Sequence, residues 1–514
     1  MTRRLAQFLR VVNADVFRTT PGYPSKPGVP RQPVDGAIPS IPSIPISYVD
    51  AIPILSALNG HGPSPKDFNK YWERNLGLKY KGVEYNVGPS PDDLVLNLVN
   101  EQEYVTTPLW NVIGIINGTL PDEVIVIGNH RDAWIAGGAG DPNSGSAALN
   151  EVIRSFGVAL AKGWKPLRTI VFASWDGEEY GLIGSTEWVE EFLPWLKHSV
   201  VAYVNVDVAT TGPHFNAAAS PLLNKMLFET TELVQSPNQT IPGQTVADLW
   251  NHHIDTMGSG SDFTAFQDFA GIPSVDFGFG GIPGSAVYHY HSNYDSFYWM
   301  SHYGDPGFHY HATCARVWAL FTAKLAETPV IPLNATDYAI ALDGYISNVE
   351  SKVDSAIAGI MTEDEEIEAR ARPIPAAPKG DLHTLKMSFE KMHKTAHKLK
   401  KAALKHDAWA AELAEEAGEN IPWWKWYSKL KLYYHIRRVN DKYKYLERQF
   451  LYEEGLDSRP WFKHVVFAPG LWTGYAGAVF PGLVEAIEAK DYGNAQKWVL
   501  IIEGTLKNAV KSLE

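Results

Sequence analysis

His130, Asp141, the pair Glu178 and Glu179, and Asp207 are residues of metal-binding type, and most stand at or just beyond the end of an apolar run. Val124-Ile125-Val126-Ile127 leads through Gly128-Asn129 into His130. Thr169 to Trp175 leads through Asp176-Gly177 into Glu178-Glu179, and Val200 to Val206 leads into Asp207. Asp141 follows His130 across the turn Gly137-Gly138-Ala139-Gly140. Imidazole nitrogen with several carboxylates and no thiolate is the donor set of a hydrolytic zinc centre. With one cysteine, Cys314, a multi-thiolate site is impossible. A hydrolytic centre also needs a base to take the proton of water. Adjacent glutamates in an extended stretch point apart, so one can bind metal while the other faces water. An aspartate between two metals can bridge them, and the loop position of Asp141 suits that. A second histidine completes such a set, and His289 and His291 both qualify in Val287 to Asp295.

The elements that must position these groups are strands of an open α/β sheet, whose chemistry lies beyond the carboxyl ends of the strands. Gly145 to Lys162 reads as the first amphipathic helix after Asp141. Taken singly, each residue has a plainer reading: paired glutamates often start a solvated helix, and an aspartate after a strand often caps one. The conjunction carries the metal reading. His393 and His397 have the spacing of a helical zinc motif, but Lys394 follows where glutamate is needed. They read as surface residues of a lysine-rich helix.

His130-Arg131-Asp132-Ala133-Trp134 and Gly140-Asp141-Pro142-Asn143-Ser144-Gly145 resemble the co-catalytic zinc peptidases of the glutamate carboxypeptidase II and transferrin receptor group. Phe172 to Gly181, Gly184 to Trp188, Tyr203 to Asp207 and Tyr290 to Tyr294 continue the resemblance in the same order. The resemblance implies a mixed sheet flanked by helices, two Zn2+ ions, peptide substrates and a homodimer. It implies that His130 and Asp207 hold one zinc, Glu179 and His291 the other, and that Asp141 bridges them. Glu178 becomes the general base, Tyr290 the donor to the oxyanion, and Asp132 the carboxylate that orients His130. The family also shares a structural Ca2+ between its apical and peptidase domains. Thr20 and Tyr23 of Thr20-Pro21-Gly22-Tyr23, with Glu187 and Glu190, match those elements.

The same resemblance divides the chain into a partial apical, protease-associated domain over 1–108, a zinc peptidase domain over 109–330, and a helical dimerisation domain over 331–514. Leu94 to Val99 reads as a strand of the first. Asp337 to Ala358, His383 to Leu413 and Trp426 to Phe450 show helical periodicity, with Thr362 to Lys379 as a loop between. Trp423 to Tyr427 and Phe480 to Leu483 offer interface anchors, the alternative being that they pack inside the domain against the peptidase core. A membrane anchor, a first peptidase segment and the first half of the apical domain usually precede the region matching Thr20. The expectation is therefore a truncated chain, with exposed apolar surface on the half-domain.

The length of 514 residues calls for two or three domains, and the net charge of -13 argues against nucleic acid as a main partner. Cys314 alone excludes internal disulfides. Asn117, Asn238 and Asn334 stand in glycosylation sequons. The resemblance implies the secretory pathway, with a vacuolar, lysosomal or cell-surface destination. No run of about 20 apolar residues is present, and the basic, mixed N-terminus makes a poor signal peptide.

Substrate polarity follows from charge. A glutamate carboxypeptidase of this group holds a C-terminal carboxylate with arginines and a lysine-tyrosine pair, the donors a free carboxylate needs. The stretch containing Ser261 continues to Asp276 and Gly278 where those arginines are expected, and Gly474-Tyr475 keeps only the tyrosine. Asp276 suits an N-terminal ammonium, which implies an aminopeptidase; the plainer alternative is that it pairs with a local donor. A glutamate carboxypeptidase-type dipeptidase, a catalytically impaired receptor-like homologue and a non-peptidase two-zinc hydrolase are the competing readings.

Overall fold

Val124–Ile127, Ile170–Ala173 and Val200–Val204 carry almost no polar side chain, the composition of strands covered on both faces. In the computed structural model, which describes residues 20–33, 41–69, 72, 77–103, 105–368, 379–471 and 476–514, these runs are neighbouring strands. The strands are β1 (Val112–Ile116), β2 (Leu120–His130), β3 (Arg168–Trp175), β4 (Val200–Asn205), β5 (His214–Ala219), β6 (Ile254–Asp255) and β7 (Ser274–Gly280). They form one sheet in the order β1-β3-β2-β4-β7-β5-β6. β3, β2, β4 and β7 run parallel, while β1 and β5 pair antiparallel with β3 and β7. The fold is thus the mixed α/β sheet flanked by helices that the pattern implies.

Register carries the site. His130 pairs with Trp175, Gly128 with Asn205, and Asn205 with Asp276, so four strands end along one edge. Helices α1 (Asn143–Ala161), α2 (Ile183–Ser199) and α3 (His309–Glu327) pack beside the sheet. Val126, Ile170, Ala202 and Val204 are fully buried, and each large aliphatic side chain so buried contributes about 1.5–3 kcal/mol. The Tyr203 ring stacks on Phe266 at 3.9 Å.

Beyond the sheet run α4 (Ala335–Glu368), α5 (Lys379–Gly418), α6 (Trp426–Leu446) and α7 (Tyr492–Leu513). On α5, Leu385, Phe389, Met392, Ala396, Leu399 and Ala403 alternate spacings of four and three and are all buried, the stripe a core-facing helix requires. The core is continuous across residue 330. Buried Glu447 accepts hydrogen bonds from Ser220 and Gln267 on one side and from Tyr338 on the other. Its Oε1 also lies 2.9 Å from His464 Nε2. No helix among the described residues is long and apolar enough to cross a membrane.

Four expectations need correction. Residues 362–368 continue α4 instead of forming a loop, because Thr362-Glu363-Asp364-Glu365-Glu366 contains no helix breaker; residues 369–378 lie outside the described set. Phe480 and Leu483 are fully buried and pack inside the chain. His393 is not a bare surface residue: it lies 3.0 Å from Glu350 Oε2 and 3.5 Å from Asp343 Oδ1. Ile38–Pro108 forms a separate compact unit, and residues 20–33 group with Leu109–Glu514. In that separate unit Ser47 caps the helix Tyr48–Ser56. Leu94 to Val99 forms no strand, and Val95, Leu96 and Val99 are exposed. An extended run needs a neighbour for its backbone groups, and none pairs with it among the described residues.

Candidate metal centre

The backbone fixes the donors from three directions. Asn129, buried at the end of β2, donates to the carbonyls of Val206 and Asp207 at 3.0 and 2.9 Å and accepts from Ser146 Oγ at 2.6 Å. β2, the start of α1 and the Asp207 loop are thereby clamped together. Gly145 permits the approach: a Cβ there would stand 2.3 Å from the Asp207 carbonyl oxygen. Asp132 accepts the amides of Glu178 and Glu179, one on each carboxylate oxygen, at 3.0 and 3.1 Å. It reaches His130 differently from expectation. The His130 Nδ1 lies 2.9 Å from the Asp132 main-chain carbonyl, and the carboxylate, turned to the two amides, is 3.7 Å away.

The five expected ligands converge. His130 Nε2 lies 2.9 Å from Asp207 Oδ1 and 3.1 Å from Asp141 Oδ1. His291 Nε2 lies 3.3 Å from Asp141 Oδ2 and 3.1 Å from Glu179 Oε2. Each Asp141 oxygen therefore addresses a different histidine. His130, Glu178 and Asp207 offer ligand atoms within 4.8 Å of one another, and so do His130, Asp141 and Glu179. His291 holds a positive φ of 53°, a conformation most side chains avoid and one that clusters at functional sites. The Tyr290 ring stacks on it at 3.7 Å.

Electrostatics fit a cation. Burial alone would lower the His130 pKa, but Asp207, Asp132 and Asp141 hold it well above its ordinary value. Burial opposes, and Asp141 and Glu179 raise, the His291 pKa to about 9. The two histidines in turn hold Asp141 down to about 2 against its burial. Burial, then the charges of Asp207, Asp262 and Glu179, push Glu178 well above the carboxylate range. Histidines that would otherwise carry protons, facing a surplus of carboxylates, are the surroundings in which dications replace those protons.

Several supporting groups were not evident from sequence. Asp295, buried, accepts the amides of Gly140 and Asp141 at 2.7 and 3.1 Å, and the Tyr288 hydroxyl at 3.0 Å. The Trp134 amide donates to Glu179 Oε1 at 2.8 Å. Asp262 is fully buried beside the site, and burial raises its pKa to about 7. The one available signal was the acidic end of the stretch Tyr290 to Asp295.

Beside the donors a cavity of about 430 Å³ is lined by Asp207, Asp255, Ser261, Asp276 and glycines, with no Lys or Arg in its lining among the described residues. Ser261 Oγ and Asp276 Oδ1 both accept from Asn205 Nδ2, at 2.8 and 2.9 Å. Asp276 also accepts the Asp207 amide at 3.2 Å. The local-donor alternative thus holds for one of its oxygens. Burial, with Asp207, raises its pKa to about 6. Tyr475 and Gly474 lie outside the described residues.

At a second place, Thr20 Oγ1 lies 3.4 Å from Glu187 Oε1, and the Gly22 amide donates to Glu190 Oε1 at 2.7 Å. Thr20 and Glu190 are buried, and Trp461 Nε1 donates to Glu190. The Tyr23 hydroxyl instead donates to the Pro30 carbonyl at 2.7 Å.

Fold and donor set describe an α/β sheet whose strand ends gather histidines and carboxylates into a candidate metal centre. Residues 111–303 match the model of peptidase family M28, and residues 387–514 that of the transferrin receptor-like dimerisation domain. A probable glutamate carboxypeptidase of Arthroderma benhamiae is 41% identical over 464 residues, covering 89% of this chain and 57% of that protein. Aminopeptidase NAALADL1 of Rattus norvegicus is 30% identical over 527 residues, covering 96% and 64%. The solved zinc aminopeptidase BSAP of Bacillus subtilis aligns over 42% of this chain and 50% of that one, at 19% identity and a TM-score of 0.33. Residues 111–303 thus carry the pattern of peptidase family M28 and residues 387–514 that of the transferrin receptor-like dimerisation domain, and the chain spans 57–64% of the length of these curated relatives.

Proposed function

We propose that this chain is the catalytic part of a two-zinc exopeptidase that removes residues from free N-termini. The observation that carries the two-metal reading is Asp141, whose oxygens face His130 Nε2 at 3.1 Å and His291 Nε2 at 3.3 Å. His130 with Asp207, and His291 with Glu179, supply the remaining donors. Bound there, zinc lowers the pKa of water to about 7 and polarises a scissile carbonyl. Glu178 accepts the water proton on its carboxylate and returns it to the leaving amine. Its burial favours holding that proton between the two transfers. Tyr290, on the loop of His291, donates its hydroxyl to the carbonyl oxygen as charge develops there. Asp132 keeps the base and the ligand Glu179 in register through their amides.

The acidic cavity supports free-amine substrates. A carboxylate placed against Asp207 and Asp276, with no cation lining that cavity among the described residues, is disfavoured, whereas an ammonium is matched. The relative named as a probable glutamate carboxypeptidase keeps the opposite polarity as the second reading. The test uses this chain, and a form extended upstream to the length of its relatives, loaded with zinc and offered aminoacyl arylamides and N-acyl glutamates. Cleavage of the arylamides alone is expected, with a higher KM for Asp276→Asn. Release of C-terminal glutamate with no action on free N-termini overturns the polarity.

The domain division at 108 and 330, a structural Ca2+ held by Thr20, Tyr23, Glu187 and Glu190, and a homodimer through the helical domain belong to the same reading. So does a secretory destination, vacuolar, lysosomal or cell-surface. Asn117 and Asn238 are exposed, as glycosylation requires, while Asn334 is occupied in part by accepting the Asp337 amide at 2.8 Å.

A further inference from the structure

The two halves of the donor set have different surroundings. The acidic cavity opens beside Asp207, in the half where Asp207 faces His130. The other half, where Glu179 faces His291, is bordered by aromatic rings. Tyr180 follows Glu179 in sequence and Tyr290 precedes His291, so the backbone that places each of these ligands also places a ring. Trp134 joins them from the loop after β2, through its amide on Glu179 Oε1 at 2.8 Å.

The Trp134 ring meets Tyr180 edge-on at 5.5 Å and lies 6.1 Å from the His291 ring. The amides of Gly181 and Leu182 both donate to the Glu178 carbonyl, at 2.9 and 2.7 Å, and close the turn that carries Tyr180. Both rings are therefore held by backbone bonds, yet Trp134 is 49% and Tyr180 64% exposed. Glu179 accepts the Trp134 amide on Oε1 and turns Oε2 to His291, so what this ligand leaves facing outward at the corner is ring surface. Such surface gains most from an apolar or aromatic partner.

A substrate crosses the centre in one direction. With its ammonium in the cavity beside Asp207 and its first carbonyl over the donors, the peptide leaves past Glu179 and His291. An extended chain advances about 3.5 Å per residue, which brings the second side chain out at that corner. We propose that Trp134 and Tyr180 form the subsite for the side chain of the second residue, the one that keeps the leaving amine, and that this subsite takes an aromatic or large apolar group. The proposal rests on the reading of the centre as an exopeptidase acting on free N-termini.

The test reads binding apart from turnover. Zinc-loaded chain carrying Glu178→Gln is titrated calorimetrically with Ala-Phe-amide and Ala-Gly-amide. Ala-Phe-amide should bind at least about tenfold more tightly, the scale of a partly buried ring. Adding Trp134→Ala or Tyr180→Ala should bring the ratio of the two affinities close to one. A substitution that merely loosened the site would weaken both amides and leave their ratio where it was. Equal affinity for the two amides, or a preference that survives both substitutions, overturns the subsite, and so does binding of neither amide. The N-acetylated forms of both amides test the reading beneath it: if they bind as well as the free amines and keep the preference for phenylalanine, the polarity falls while the ring contact stands. A dimer by light scattering that Trp134→Ala converts to monomer assigns the rings to a second copy and overturns the subsite.

Discussion

Asp295 holds the Asp141 amide at 3.1 Å while its other oxygen holds the Gly140 amide at 2.7 Å, so the turn carrying the shared aspartate hangs on a carboxylate 154 residues away. Asp295→Asn replaces one acceptor by an N–H that faces another N–H. Zinc affinity should fall by about 10- to 100-fold, the scale seen when ligand-orienting partners are lost. Competition with a chelator of known strength measures it. Unchanged affinity would mean that the turn is held by the chain on either side of it.

The adjacent glutamates should separate cleanly. Glu178→Gln should keep both metals and lose turnover by at least about 100-fold, the scale of a lost general base. Glu179→Ala should lose metal, because its side chain faces His291 at 3.1 Å. Metal analysis beside single-turnover kinetics distinguishes the two, and the reverse outcome exchanges their roles.

Gly145 tests the close packing at the ligand loop. A Cβ would meet Asp207 O at 2.3 Å and Val206 O at 2.7 Å, both main-chain atoms that cannot swing aside. Gly145→Ala should displace Asp207 and weaken zinc binding. Full zinc occupancy at limiting metal in that variant would count against it.

What could be read before the structure was set by periodicity and by strand polarity. Parallel apolar strands deliver their last residues to one edge, so His130, Glu178, Glu179 and Asp207 were legible as a group. The buried stripe of α5 was legible because spacings of three and four are visible in a single segment. Groups that act across long separations were not. Asp295 looks like an ordinary loop acid until its partners at 140 and 141 are seen, and Asp132 could be assigned to His130 but not to the amides of Glu178 and Glu179. Phe480 and Leu483 look like interface anchors for the same reason that they are core: apolarity does not say which surface it meets.

Calcium should raise thermal stability through the Thr20–Glu187 region. A ligand at about 100 times its Kd adds about 2.7 kcal/mol to the folded state. Parent chain in calcium should therefore melt higher than in chelator, measured after zinc is restored, and Glu187→Ala should show no calcium response. Thermal transitions indifferent to calcium in the parent leave Glu187 and Glu190 as direct partners of residues 20–25, through the hydrogen bonds already formed there.

His406 gives a pH dependence separate from the metal centre. It lies on α5 with 3% exposure, its ring edge-on to Tyr443 at 4.5 Å. Burial lowers its pKa to about 4, helped by Lys442 and opposed by Asp407. The folded state therefore prefers neutral imidazole, while the unfolded chain takes up a proton near pH 6.5. Between those values the unfolded state binds more protons, so stability falls as pH falls. The contribution is full above about pH 6.5 and lost progressively towards about pH 4, amounting to about 3 kcal/mol at about 1.4 kcal/mol per pH unit. His406→Leu removes the titration, so between pH 6.5 and pH 4 its unfolding free energy should fall less steeply than that of the parent, by about one proton's slope. Denaturant midpoints collected at several pH values on metal-free protein provide the comparison, and parallel curves for the two chains would show that His406 is not the group that titrates.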